Sequence, residues 1–181
     1  MSEPTAPDAA ATAAPPPAAP APPPAPDPAV IAMREEVARI LGDAATPDPA
    51  AGVPAWRVDA AGVPDAARRL RAAGFDYLLF VSAVDRPAEA KFEVTYLISR
   101  FDDGRQLALL ADVPRERPEI DTVSGVWAGA NWHERETFDM FGIVFRGHSY
   151  LRRILLDEDW PGHPLLKDYV DTLHDVRKRP Y

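Results

Sequence analysis

The spacing of apolar and polar positions predicts two helices near the start of the chain and a sheet after them. Apolar residues recur at helical spacing in residues 29–41, and the punctuation by Pro64 and Gly74 favours a second helix at 64–73. Residues 75–84 form an apolar strand, and we expect the run from Tyr77 to Val81 to be its buried part. Four apolar side chains then alternate, which predicts a strand over 92–101 with one buried face. They are Phe92, Val94, Tyr96 and Ile98.

Weaker signals complete the order of elements. Residues 42–54 are rich in Pro, Gly and Ala and predict a loop, and Trp56 to Val58 predicts a short strand. Asp102-Asp103-Gly104 predicts a hairpin turn before a return strand at 107–113. Asp121 or Thr122 is the expected cap of the next helix. The predicted fold class is α+β: a mainly antiparallel sheet with packed helices, followed by an extended C-terminal tail.

The next helix, predicted at 131–141, is apolar on two sides. One face carries Glu134 in the middle of an apolar stripe, and the opposite side carries Trp132 among acidic residues. The stripe is Trp127, Ala130, Asn131, Glu134, Phe138 and Phe141. We expect one side to pack on its own domain and the other to meet a partner. Gly142 should end the helix, and residues 143–145 predict a short strand.

Two adjacent guanidinium groups, Arg152 and Arg153, lie inside the apolar run 151–156. A buried unpaired charge is costly, so each Arg needs a carboxylate. We hypothesise that Glu134 and Glu136 hold this pair, with Asp139 as a further source and Arg135 as a further cation, and so fix where the chain leaves the domain. The alternative is a general acid/base set, in which burial would raise the pKa of Glu134.

Composition divides the chain into three parts. Eleven of residues 1–28 are Pro and ten are Ala, which predicts a disordered arm and is not typical of a secretion signal or a mitochondrial presequence. The predicted divisions are this arm at 1–28, an α+β domain at 29–156 and an extended docking tail at 157–181. Because the tail has few apolar residues, we expect it to need a neighbour's surface in order to be ordered. Trp160 is the tail's expected interface residue.

The sequence excludes several kinds of chemistry. It contains no Cys, which rules out thiolate ligation of an iron–sulfur cluster by this chain, and its net charge of −8 argues against general nucleic-acid binding. No apolar run approaches the about 20 residues that span a bilayer. The four His residues fit no compact zinc pattern. We therefore predict no catalytic, cofactor-binding or metal-ligating residue on this chain.

The segment 127–169 closely resembles one family's signature. The motifs are Glu134-Arg135-Glu136, Asp139, Phe141-Gly142-Ile143, Gly147-His148, Leu151-Arg152-Arg153-Ile154-Leu155, Gly162-His163-Pro164-Leu165 and Lys167-Asp168-Tyr169, with Trp132 and Trp160 beside them. They resemble the 30-kilodalton, C-type subunit of proton-pumping NADH:quinone oxidoreductase, respiratory complex I. Ser149-Tyr150 stand where that family usually has Pro-Asp.

The resemblance implies a function for the whole assembly. It implies a peripheral-arm subunit, without a cofactor of its own, that supports assembly of the quinone module. The expected partners are the large quinone-cavity subunit and the small subunit with the terminal cluster, at the cytoplasmic face of a bacterial membrane. The holoenzyme would use FMN, iron–sulfur clusters, NADH and a quinone. The alternatives are an equivalent subunit of a related membrane-bound hydrogenase or dehydrogenase, and a free-standing acid/base hydrolase.

Overall fold

Three α-helices and seven strands make up the part of the chain that the structure, a computed structural model, describes: residues 28–49 and 53–171. The helices are α1 (Pro28–Leu41), α2 (Val63–Ala72) and α3 (Ala130–Phe141). The strands are β1 (Ala45–Asp48), β2 (Ala55–Val58), β3 (Tyr77–Arg86), β4 (Lys91–Ser99), β5 (Gln106–Pro114), β6 (Glu119–Asp121) and β7 (Val144–Arg146). Pro28, placed in the predicted arm, begins α1; the rest of that arm and residues 172–181 of the tail lie outside the described residues.

The main sheet has five strands in the order β1-β2-β5-β4-β3. The pairs β1–β2, β3–β4 and β4–β5 are antiparallel, while β2 and β5 run parallel. The α+β class with a mainly antiparallel sheet is therefore confirmed. The sheet also contains one strand that was predicted as loop. That strand, β1, was hidden by Pro47 and Pro49, but Pro47 is tolerated because β1 lies at the edge of the sheet.

One face of the sheet carries the core. The four alternating residues predicted for β4 are all buried there, together with Trp56 and Leu109 from neighbouring strands. The prediction that Tyr77 to Val81 is continuously buried is wrong, because Tyr77 is 58% exposed and Phe80 37% exposed. Helices cover only one face of this sheet, so every second residue of β3 points away from the core.

The opposite face of the sheet is held by a network of ion pairs. Arg57 on β2 contacts Asp48 at 2.8 Å, Glu93 at 2.7 Å and Asp112 at 2.8 Å, and thereby joins strands β1, β4 and β5. Ala55, Ala108 and Leu110 form a small buried cluster in the same sheet. This face thus combines ion pairs that cross the strands with a small apolar cluster.

The helix α3 connects two short strands that pair with each other. β6 and β7 run parallel, with Ile120 opposite Phe145, so β6-α3-β7 is a crossover unit. The strand β6 was not predicted from the sequence. The predicted caps of α3 are also wrong, because Asp121 lies in β6. The residue at the cap position is Gly129, which makes no side-chain cap hydrogen bond. No helix among the described residues combines the length and apolar character needed to cross a membrane.

Candidate functional site

Asp139 organises the chain after β7. Its side chain is fully buried near the end of α3. One oxygen accepts a hydrogen bond from Arg153 Nη1 at 2.8 Å. The other accepts three backbone N–H groups of the following turn, from Ile154 at 2.9 Å, Leu155 at 2.8 Å and Leu156 at 3.0 Å. A single carboxylate therefore fixes both a guanidinium group and a backbone turn.

The environment of Asp139 favours its charged form. Burial by itself would raise the pKa of Asp139, but the three backbone donors and Arg153 outweigh burial and lower that pKa. The hypothesis that a carboxylate of α3 holds an arginine of the 151–156 run is correct, but the assigned carboxylates are wrong. Glu134 and Glu136 do not contact Arg152 or Arg153, because the chain crosses α3 near its C-terminal end.

Arg153 then fastens the start of the C-terminal segment. Its Nη2 donates to the carbonyl oxygens of Trp160 at 3.1 Å and Gly162 at 3.0 Å. The His163 ring lies 2.9 Å from the Asp139 carbonyl oxygen and covers Gly142, where a Cβ atom would stand 2.7 Å from the ring. Position 142 requires glycine for two reasons: a side chain would collide with the His163 ring, and the backbone has a φ of +78° at the end of α3.

A second buried carboxylate, Asp85 at the end of β3, holds the same segment further along. Asp85 accepts Arg115 Nε at 2.9 Å and the Lys167 backbone N–H at 2.9 Å, and Arg115 also pairs with Asp168. The prediction that the tail needs a neighbouring protein in order to be ordered is therefore wrong for residues 163–169. Asp85 was missed because a single Asp in an apolar strand does not show which distant segment it meets.

Replacing Asp85 by alanine should release this segment, because the Lys167 N–H loses its acceptor and Arg115 keeps only the exposed Asp168 as a partner. Loss of such buried bonds should cost about 2 kcal/mol locally. We therefore expect trypsin to cleave after Lys167 at least about tenfold faster, measured by mass spectrometry under native conditions. The control Asp103→Ala changes an acid of the β4–β5 turn and should leave this rate unchanged. Equal cleavage of the Asp85→Ala variant and the wild type would contradict the anchor.

A loop of the C-terminal segment is closed by a contact between its two ends. Trp160 Nε1 donates to the Tyr169 hydroxyl at 3.0 Å, and a Cβ atom on Gly162 would come within 3.2 Å of the Tyr169 ring. Trp160 and Tyr169 are each only partly exposed. The segment thus presents a defined surface, on which Leu155, Leu165 and Val170 are 60%, 49% and 74% exposed.

Glu134 has a different role from the other acids of α3. It is completely buried and accepts the Val123 N–H at 2.7 Å and the Thr122 hydroxyl, so it ties α3 to the segment after β6. Burial raises the pKa of Glu134 to about 7, although the two hydrogen bonds favour the charged form. The buried Thr137 hydroxyl lies 2.8 Å from the His133 carbonyl oxygen of its own helix and 3.2 Å from the Val81 carbonyl oxygen, so it sits at the contact between α3 and β3.

The outward side of α3 carries a cation–aromatic patch, which we define as Trp132, Arg135, Tyr150 and Arg152. The Arg135 guanidinium lies 5.2 Å from the Trp132 ring centre and 5.3 Å from that of Tyr150. Arg152 lies 4.8 Å from the Tyr150 ring centre. Trp132 is 62% exposed and Tyr150 53% exposed. Stacked arginines and aromatics of this kind are enriched at protein interfaces.

His148 supports the patch from behind. Its Nδ1 accepts the Tyr150 backbone N–H at 3.0 Å, and its Nε2 lies 3.2 Å from the Asn131 carbonyl oxygen, which makes Nε2 the donor in the neutral ring. Tyr150, one of the residues at which the sequence departs from the family signature, was not predicted as a site residue. The sequence did contain a signal for this role, because an aromatic residue close to Arg152 and Arg153 is typical of a cation–aromatic contact.

The remaining predicted residues occupy simple structural positions. Phe141 packs edge-on against Phe92 in the core, Pro164 is half-buried, and Glu136 is exposed. The three acids of α3 thus engage separate surroundings and do not form the set that acid/base chemistry would use. Among the described residues, no group of three or more His, Asp or Glu could hold a metal ion.

Comparison with known proteins places this arrangement in a family. The curated relatives include proteins named as C-type subunits of NADH-quinone oxidoreductase. The one from Roseiflexus sp. strain RS-1 is 47% identical over 95 residues, which cover 52% of this chain and 55% of the relative. The one from Chlorobium phaeobacteroides is 46% identical over 110 residues, which cover 59% of this chain and 66% of the relative. The chain thus spans about half the length of the first relative and two thirds of the other.

Two solved structures share the fold. A structure of the membrane-bound sulfane sulfur reductase, an archaeal respiratory membrane complex, contains a chain with a TM-score of 0.68 and 27% identity, covering 78% of this chain and 87% of that one. A structure of a trypsin-resistant fragment of Nqo5 has a TM-score of 0.58 and 28% identity. The match covers 67% of this chain and 99% of that one. The model of the family described as "Respiratory-chain NADH dehydrogenase, 30 Kd subunit" matches residues 56–174, and the chain therefore belongs to that family.

Proposed function

We propose that this chain is the 30-kilodalton subunit of a proton-pumping NADH:quinone oxidoreductase of the complex I type, where it supports assembly of the quinone module. In this proposal it carries no redox group. FMN and iron–sulfur clusters in neighbouring subunits pass electrons from NADH to a quinone. The names of the curated relatives support the assignment. The absence of Cys from the sequence agrees with it, because iron–sulfur clusters are held by thiolates.

The observation that carries the proposal is an exposed patch of stacked cationic and aromatic side chains beside a rigid support. The cation–aromatic patch is joined to the anchored segment, since Arg135 donates to the Arg152 carbonyl oxygen at 3.2 Å and to that of Arg153 at 3.3 Å. Arg153 is in turn fixed by Asp139. A preorganised surface loses little conformational entropy on binding, so it suits permanent assembly better than transient contact.

The proposed partners are the large subunit that helps to form the quinone cavity and the small subunit with the terminal cluster. The family-signature residues are proposed to act as support and interface, with Trp132, Arg135 and Arg152 at the contact and Asp139, Gly142, Arg153, Gly162 and His163 beneath it. The proposed location is the cytoplasmic face of a bacterial cell membrane, reached only through the complex.

A second candidate is the equivalent subunit of a related membrane complex that takes electrons from another donor. The likeness to a chain of the sulfane sulfur reductase complex favours it, because that chain has the larger TM-score and the larger share of this chain covered. The two candidates predict the same docking role for this chain. They differ in the electron donor that the purified assembly accepts.

Purification through a tag on this chain tests the proposal. Membranes of the source organism are dissolved in a mild detergent, and the recovered assembly is identified by mass spectrometry and assayed for quinone reduction with NADH. We expect a multi-subunit oxidoreductase with NADH-dependent activity. Activity with another donor alone would favour the second candidate. Recovery of the chain without any membrane oxidoreductase would contradict both.

The patch is tested in the same assembly with a double variant. Trp132→Ala with Arg135→Ala should lower the amount of assembled complex by about tenfold, since aromatic and arginine residues dominate interface energies. The matched control is Phe101→Ser, because Phe101 is 81% exposed on the distant β4–β5 turn. The control should assemble normally. Equal assembly of the double variant and the control would reject the patch as an interface.

A further inference from the structure

A wide groove lies between α2 and the start of α3, and its lining contains two arginines and no acidic residue. Its volume is about 1020 Å³, and it opens beside the cation–aromatic patch, with which it shares Trp132. One wall is α2, with Pro64, Arg68, Arg71 and Ala72. The other wall is the turn before α3, with Ser124, Gly125, Val126 and Ala128, together with Asn131 in the first turn of α3.

No acidic residue lines the groove, although the chain carries a net charge of −8. Arg68 is 62% exposed and has only a 3.5 Å contact with Asp65. Arg71 is exposed and makes one hydrogen bond, to the Asp76 carbonyl oxygen, and no ion pair with a described carboxylate. The neighbouring patch adds Arg135, which lies over Trp132, and Arg152, whose nearest carboxylate partner is the exposed Glu158 at 3.9 Å. Local charge therefore favours a negatively charged occupant.

We propose that this groove binds an extended acidic segment of a partner polypeptide, with Arg68 and Arg71 pairing with its carboxylates and Trp132 packing against an apolar side chain. The inference rests on the proposed function and goes further by naming the chemistry of the bound segment. The groove is open to solvent, which suits a peptide segment, whereas small-molecule sites enclose most of their ligand.

The spacing of the two arginines sets the spacing of the carboxylates. Arg68 and Arg71 are three residues apart on one face of α2, so their Cβ atoms lie about 5–6 Å apart. In an extended chain, side chains on the same side are two residues and about 6.6 Å apart. A segment of the form acid-x-acid therefore matches both guanidinium groups, each of which can bind a carboxylate through two N–H groups.

Peptide binding to the full-length chain provides the first test. The probe is a fluorescent ten-residue peptide with two Glu residues separated by one residue and a nearby Leu. Its counterpart is the same peptide with Gln in both positions. We expect the Glu peptide to bind about tenfold more tightly at about 50 mM salt and to lose that advantage at about 500 mM. Arg68→Gln with Arg71→Gln should remove the preference.

The matched control, Arg34→Gln with Arg39→Gln, changes two exposed arginines of α1 and should keep the preference. Equal binding of the Glu and Gln peptides, or an unchanged preference in the Arg68/Arg71 variant, would overturn the proposal. Tighter binding of a single-stranded oligonucleotide than of the Glu peptide would also overturn it, in favour of a nucleic-acid ligand.

Cross-linking in the assembled complex provides the second test. A photoreactive amino acid replaces Ala72, which is exposed in the groove, and the linked peptide is sequenced. We expect a peptide of another subunit with at least two acidic residues within about five positions. A link to this chain itself, to a segment without acids, or to no polypeptide would refute the groove assignment. Failure to recover any complex would refute the proposed function, while the peptide measurement would still judge the groove.

Discussion

Replacing Asp139 by alanine is expected to lower the free energy of unfolding by about 3–5 kcal/mol, the largest effect of any substitution proposed for this chain. The change leaves Arg153, whose side chain is only 15% exposed, without its carboxylate. It also removes the acceptor of three backbone N–H groups. Urea unfolding followed by tryptophan fluorescence measures the difference, and we expect trypsin to reach Lys167 faster as well.

Two further variants separate charge from packing at this position. Asp139→Asn keeps the shape and one oxygen acceptor but places an amide opposite Arg153, so an intermediate loss is expected. Glu136→Ala removes an exposed acid of the same helix and should change stability by no more than about 0.5 kcal/mol. If Asp139→Ala and Glu136→Ala were equally stable, Asp139 would not be the anchor of the C-terminal segment.

Replacing Glu134 by glutamine should change how stability depends on pH. Glutamine resembles the protonated acid and can accept the Val123 N–H and donate to Thr122 Oγ1. Because burial raises the pKa of Glu134 to about 7, the wild type should lose about 3 kcal/mol of stability relative to this variant as pH rises from 4.5 to 8. Unfolding by urea at several pH values gives this difference.

The direction of this change follows from proton binding. The unfolded chain releases the Glu134 proton near its ordinary pKa of 4.5, and the folded chain keeps the proton until about pH 7. Between these two pH values the folded state binds more protons than the unfolded state, so the free energy of unfolding falls as pH rises. Above about pH 7 the contribution of Glu134 to that free energy no longer changes. Burial raises the pKa of Tyr96, and the nearby carboxylates of Glu134 and Asp121 raise the pKa of Tyr96 further.

Glu136→Gln serves as the control for this titration, because Glu136 is exposed on the same helix. Its stability should stay within about 0.5 kcal/mol of the wild type. A pH-independent difference between Glu134→Gln and the wild type would show that the buried carboxyl of Glu134 keeps an ordinary pKa. If the wild type instead lost stability relative to Glu134→Gln as the pH was lowered, the folded chain would lower the pKa of Glu134.

Periodic patterns were a good guide to elements but a poor guide to their surroundings. The alternation from Phe92 to Ile98 indicated both the strand and its buried face, because burial on one side of a sheet leaves a period of two. The run from Tyr77 to Val81 indicated a strand but the wrong burial, since an apolar run does not reveal that only one face of the sheet is covered. β1 was missed because prolines at a sheet edge look like a loop.

The same distinction applies to the candidate site. The pair Arg152 and Arg153 in an apolar run required a carboxylate, and the sequence supplied three on one helix. Which one is used depends on where the chain crosses α3, and that is decided by contacts between segments far apart in sequence. Asp85 shows this most clearly, because its partners Arg115 and Lys167 are 30 and 82 residues away.

The residues alone were enough to establish the α+β class, the absence of thiolate ligands, the family signature and the need for a charge-paired exit from the domain. The path of the chain in space was needed to show that Asp139 supplies the pairing, that residues 163–169 lie against their own domain, and that two arginines line a groove with no acidic lining residue. This division arises because local spacing sets which side chains share a face, while distant segments set what that face meets.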